Sequence, residues 1–177
     1  EEFSYVESYA GQPGKPYVTM LAERNANPKQ IVLVRVRVYD GNRYYEDNFL
    51  GYLLQTELEE KIGVLAEKSF GGCKLYYKIP TFVFPGDFPA NMSADAFLKN
   101  PYAMPQFYIY PGNLSEDKAF WEKKMNSFVG RCARAGYQIR GTLSIAASKQ
   151  DYEMIDDDNF AESDYLGYEP YGELAFS

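Results

Sequence analysis

The sequence predicts an α+β domain: a ferredoxin-like sandwich with a βαββαβ core, an extra N-terminal strand and two extended arms. Two observations carry this. Two stretches share one order of strand, turn, helix, glycine stop and strand. The first runs from Ile31 to Ile79 through Asp40-Gly41-Asn42 and Gly71-Gly72; the second runs from Gln106 to Ile145 through Pro111-Gly112-Asn113 and Gly136. Two such units interleaved in one sheet, with right-handed crossovers, place strands 31–39 and 106–110 centrally and antiparallel, with both helices on one face. The second observation is size, since 177 residues suit one domain with extensions. The expected organisation is an N-terminal arm over 1–16, a core domain over 17–150 and an acidic, tyrosine-rich tail over 151–177.

Residues 1–16 are polar and hold Gly11, Pro13, Gly14 and Pro16, which suits an extended arm. Tyr17 to Ala22 reads as the added strand, and 24–30 as a loop. From Ile31 to Tyr39, Val32, Val34, Val36 and Val38 alternate with Leu33, Arg35, Arg37 and Tyr39. That period of two assigns the valines to one face and the arginines to the other. Leu54, Leu58, Ile62 and Leu65 form one helical stripe, ended by Gly71-Gly72. Cys73, Leu75, Tyr77 and Ile79 alternate with Lys74, Tyr76 and Lys78 in the next strand. Residues 85–105 hold four prolines and a short candidate helix at 93–99, the longest irregular stretch and a candidate lid. Gln106 to Tyr110 is a short strand. Ser115 is a candidate cap for a second helix, whose stripe is Trp121, Met125, Phe128, Val129 and Cys132. Tyr137 to Ile145 closes the core.

The chain contains no histidine. This removes the side chain best suited to acid–base work near neutrality, along with Ser–His and Cys–His nucleophile pairs. Two cysteines are too few for a structural zinc site or a disulfide framework. Cys73 and Cys132 read as buried hydrophobes, too far apart to bond. Asp156, Asp157, Asp158, Glu162 and Asp164 lack the glycine of a calcium loop, since Ala161 stands at that position. No catalytic, cofactor-binding or metal-binding residues are therefore assigned, and the expectation is a non-enzymatic protein. No run of 18 apolar residues is present. The chain begins at Glu1 without Met, which reads as a processed form or a fragment, and the sequence does not assign a compartment. Asn91 and Asn113 each start an Asn-x-Ser sequon.

Charge is divided along the chain. The net charge is −7, yet residues 151–177 hold nine acids and no Lys or Arg. The remaining 150 residues hold 16 acids against 18 bases, a net of +2. Tyrosine occurs 17 times, and its large contact area with a polar tip suits interfaces as well as sheets.

On the ferredoxin-like arrangement, one sheet face gathers Arg35, Arg37 and Tyr39 with Tyr108 and Tyr110, flanked by Lys74, Tyr76, Lys78, Arg140 and Thr142. This pattern is similar to that of RNA-recognition modules, which stack bases on aromatic rings and hold phosphates with cations. The glycine-aromatic signature of those modules is absent. The other reading covers the face with an arm or with the tail. Tyr165, Tyr168 and Tyr171 then supply contact area, and the acids complement Arg35, Arg37 and Arg140. The strand–helix–glycine–strand unit of 106–145 also occurs in small linker domains such as those of phycobilisomes, without a diagnostic motif here. The leading expectation is a structural or adaptor subunit of a larger assembly. It binds protein partners through its arms and open sheet face, at Arg35, Arg37, Tyr76, Tyr108, Tyr110, Arg140, Tyr165, Tyr168 and Tyr171. The alternatives are a single-stranded RNA or DNA binder, and a small-ligand binder or enzyme closed by 85–105.

Overall fold

The computed structural model describes residues 2–10, 17–86, 88–161 and 174–176. It is a mixed α/β structure with two four-stranded sheets and, among the described residues, four helices. In chain order these are β1 (Phe3–Ala10), β2 (Tyr17–Arg24), β3 (Asn27–Tyr39), β4 (Asn42–Asp47), α1 (Phe49–Phe70), β5 (Cys73–Lys78), α2 (Ala94–Lys99), β6 (Gln106–Pro111), α3 (Lys118–Arg134), β7 (Arg140–Leu143), α4 (Lys149–Met154) and β8 (Leu174–Phe176). Two units divide the chain: Glu1–Leu54 with Ile79–Ser93, and Gln55–Lys78 with Ala94–Ser177.

The first unit holds an antiparallel sheet in the order β1-β2-β3-β4. Its hairpins explain why the ferredoxin-like sandwich does not form. Asp40 and Gly41 both take positive φ, 49° and 74°, and make a two-residue turn. Such a turn matches strand twist and returns the chain directly, so Asn42–Asp47 pairs with β3 instead of starting a helix. The other edge of β3 is taken by β2, and β1 pairs beyond it. With both edges occupied, β3 cannot pair with β6, and the two strands expected to lie together at the centre belong to different sheets. Residues 3–10 of the expected arm are a strand; residues 11–16 lie outside the described residues. Nor are the β3 valines buried as a set. Val32 is buried, Val34 and Val36 are half-buried and Val38 is exposed.

Asn48, between β4 and α1, fastens that junction to β3 and to Pro80. Its side-chain carbonyl accepts the Leu33 N–H at 2.8 Å and its amide donates to the Pro80 carbonyl at 2.7 Å. Both ends of this buried amide are thereby satisfied, as a buried polar group requires.

The second unit keeps one of the expected repeats. β6 and β7 are parallel neighbours joined through α3, and β5 and β8 flank them antiparallel. The core stripe of α3 is buried at Trp121, Met125, Phe128 and Cys132. The helix is capped by Asp117, whose carboxylate accepts the Phe120 N–H at 2.8 Å, and not by Ser115. Leu58, Ile62, Ala66 and Phe70 of α1 are buried, while Leu65 is half-buried. Phe70 meets Phe128 at 5.4 Å between ring centres. At the outer edge of β5 the Tyr77 N–H donates to the Glu59 carboxylate at 2.8 Å. Burial raises the Glu59 pKa above the ordinary carboxylate value. Within 85–105, Ala94, Phe97, Leu98 and Ala103 are fully buried, so this end of the stretch packs into the core. Cys73 and Cys132 are both free thiols.

Candidate partner-binding surfaces

On the first sheet, register sets the face. Tyr17, Arg37 and Tyr44 form one cross-strand row, and Thr19, Arg35 and Glu46 form the next. Side chains in such rows touch across strands. The Arg35 guanidinium lies 4.9 Å from the Tyr17 ring centre. The Glu46 carboxylate sits 3.8 Å from Arg35 and 3.0 Å from Arg37. Its Oε2 atom, though buried, accepts no hydrogen bond, and the buried Arg35 Nε donates none. Arg37 is thus close to Glu46 but out of hydrogen-bonding alignment. Tyr17, Arg35, Arg37, Tyr39, Tyr44 and Glu46 line a recess of about 830 Å³, with Val38, Tyr45 and Gly86 at its rim. Tyr39 is 74% exposed and Tyr44 50%. Val18, Val38 and Tyr45, which alternate with these residues along their strands, are exposed too.

On the second sheet the comparable face is covered. Tyr76, Tyr108 and Tyr110 stand in adjacent strands, with Tyr76 directly opposite Tyr108. Residues 149–160 lie over them. Phe160 stacks on Tyr76 at 4.9 Å with the rings 9° from parallel, and meets Tyr108 edge-on at 5.4 Å. Ile155 and Ala146 pack with Tyr110 in one buried cluster. Lys74 donates to the Ile155 carbonyl at 2.7 Å and the Glu153 carbonyl at 3.1 Å; the Tyr76 hydroxyl donates to Ile155 at 3.0 Å. The Tyr110 hydroxyl donates to the Phe160 carbonyl. Lysine on the last carbonyls of α4 satisfies groups that a helix end leaves free.

Burial, followed by the Asp157 and Asp156 carboxylates, pushes the Tyr76 phenol up to about 12 from an ordinary 10.0. An acid whose folded pKa exceeds its unfolded one stabilises the fold fully below the lower value. That stability is lost as pH rises through the higher one. Stability is therefore expected to fall between about pH 10 and 12, and less steeply in Tyr76→Phe. Alkaline unfolding followed by circular dichroism checks this; superimposable curves for the two proteins would count against it.

The residues read from the sequence as one face are thus divided. Arg35 and Arg37 belong to the first unit; Tyr76, Tyr108, Tyr110 and Arg140 belong to the second. Tyr110 is buried and Arg140 exposed. Tyr165, Tyr168 and Tyr171 lie outside the described residues. Sequence reasoning missed Tyr17, Tyr44 and Glu46, which complete the recess, and Phe160, which caps Tyr76. The Asp40-Gly41 pair was the signal for the first group, because it places Tyr44 and Glu46 opposite Arg37 and Arg35. Among the described residues, no cluster of three or more His, Cys, Asp or Glu is placed to hold a metal ion, and no helix is long and apolar enough to cross a membrane.

No protein-family model and no curated protein matches the chain. Among solved structures, it is similar to a DUF5037 family protein from Ruminococcus gnavus ATCC 29149, with 13% identity and a TM-score of 0.47 over 99% of this chain and 83% of that one. A likeness at that level carries no argument about activity or partners.

Proposed function

We propose that the protein is a non-enzymatic adaptor or structural subunit that binds a protein partner through the first sheet. One observation carries the reading: the arginine-bearing face of that sheet leaves Tyr9, Tyr39 and Tyr44 at least half exposed beside Arg35 and Arg37. Exposed tyrosine with arginine is the composition enriched in protein interfaces, and contiguous exposed aromatic surface is uncommon where nothing binds. The second sheet contributes less, because its tyrosine face is filled by the chain's own Phe160 and Ile155.

The nucleic-acid alternative is weakened by the same contacts. A base stacking on Tyr76 would need the position that Phe160 occupies. Arg35 and Arg37 both face Glu46, which reduces their attraction for phosphate.

The test is purification from the source cells of the tagged chain and of its Tyr39→Ser/Tyr44→Ser variant. The expected result is a co-purifying protein retained by the first and lost from the second. Identical sets of co-purifying proteins would overturn the reading.

A further inference from the structure

We propose that the recess on the first sheet takes an acidic, extended segment of the partner, with a carboxylate on Arg37 and neighbouring side chains on the tyrosine rings. This rests on the adaptor reading and names the chemistry of what is bound.

Charge gives the first reason. The residues lining the recess include two guanidinium groups and one carboxylate, a net of +1. One further carboxylate balances it. Hydrogen bonding gives the second. Glu46 approaches Arg37 at 3.0 Å, yet its buried Oε2 accepts no hydrogen bond and Arg35 Nε donates none. The internal ion pair is therefore incomplete. An incoming carboxylate meeting the Arg37 guanidinium fork-on gains two charge-assisted hydrogen bonds that Glu46 does not make. Arg37 is half exposed and can be reached. Preorganisation gives the third. Tyr17 holds the Arg35 guanidinium against its ring, so the second cation of the recess is fixed in place before anything binds.

The shape separates this occupant from others. Small-ligand sites bury most of the ligand, whereas Tyr39 and Tyr44 stand largely in solvent along a sheet surface. An extended chain lying along the strands meets Tyr44 and Tyr17 in one row with Arg37. A single-stranded nucleic acid needs cations along its whole track. Residues 1–54 and 79–93 hold six Lys and Arg against eight Asp and Glu, a net of −2, so the excess of positive charge is local to the recess.

Selection of phage-displayed random dodecapeptides on the intact chain tests the proposal, with Arg37→Gln as the counter-target. Tyr44→Ser and a twelve-nucleotide oligo-dT serve as parallel arms, and circular dichroism verifies folding of each variant. The expected peptides are enriched in Asp and Glu. Their binding should weaken about 10-fold or more in Arg37→Gln, and by a similar factor when the peptide acids become amides. Peptides without acidic enrichment, no enriched peptides at all, or equal binding to Arg37→Gln would overturn the proposal. Tighter binding of oligo-dT than of the peptides, lost in Arg37→Gln, would also overturn it, making the recess a nucleic-acid surface. If the peptide result fails while Tyr39→Ser/Tyr44→Ser still loses its native partner, the adaptor reading stands and the acidic partner does not. If both fail, the adaptor reading falls as well.

Discussion

Trp121→Ala is expected to lower the free energy of unfolding by about 3–5 kcal/mol. Trp121 is 3% exposed and lies on the buried stripe of α3, with Phe120 at 5.0 Å and Phe70 at 6.5 Å between ring centres. Truncation removes most of its apolar area and leaves a void beside Phe70 and Phe120. The indole N–H has no hydrogen-bond partner. The cost therefore lies in packing, with no lost hydrogen bond to add. That distinction has its own consequence: Trp121→Phe fills much of the same volume and removes an unsatisfied donor, so it should cost far less than alanine. Urea denaturation of the three proteins checks this. It is best followed by circular dichroism, because Trp121 is the chain's one tryptophan and its fluorescence disappears with it. A loss below about 1 kcal/mol for the alanine variant would mean that the stripe does not pack the core as described.

What the sequence made legible was local. The stripe of Trp121, Met125, Phe128 and Cys132 repeats at helical spacing, and each of these residues is buried. The alternation Lys74-Leu75-Tyr76-Tyr77-Lys78 set the two faces of β5 correctly, since parity along a strand needs no knowledge of its neighbours. The strand–helix–strand order of 106–145 became a parallel pair, β6 and β7. What the sequence left open was which strands share a sheet. Arg35 and Tyr108 alternate in the same way, and nothing in their spacing says that β3 meets β2 and β4 while β6 meets β5 and β7. Pairing is decided by which edges remain free after the short-range hairpins close. One turn, Asp40-Gly41, closed an edge that the doubled pattern assumed was open. The first strand was hidden for a different reason. Ser4, Glu7 and Ser8 interrupt the apolar alternation of β1, and its register shifts between Tyr5 and Glu7. A bulge with a charged residue is a common way to blunt a sheet edge, and it erases the period-two signal as it does so.

Ile155→Ala is expected to loosen residues 149–160 from the second sheet, with a local cost of about 2–5 kcal/mol. Ile155 is 1% exposed and packs against Tyr110 and Ala146. Its carbonyl is also the point where Lys74 and Tyr76 both donate. Apolar burial and hydrogen bonding thus converge on one residue, although the segment around it is acidic. Charge is the competing explanation for what holds the segment, since Asp156, Asp157 and Asp158 follow directly. Yet exposed ion pairs are each worth about 0–1 kcal/mol. Lys74 is held by backbone carbonyls, which remain whatever the nearby side chains become. Asp157 raises the pKa of Tyr76, which keeps that phenol neutral and adds no ion pair across this surface. Trypsin cleavage after Lys149, followed over time in the native protein, separates the two accounts. Cleavage requires α4 to open, so in the fast-reclosing regime its rate follows the free energy of that opening. Ile155→Ala should then be cut about 30-fold faster or more, while Asp157→Asn should stay within about threefold of the parent. If Asp157→Asn is cut rapidly and Ile155→Ala remains protected, the segment is held by charge and the packing account of it is wrong.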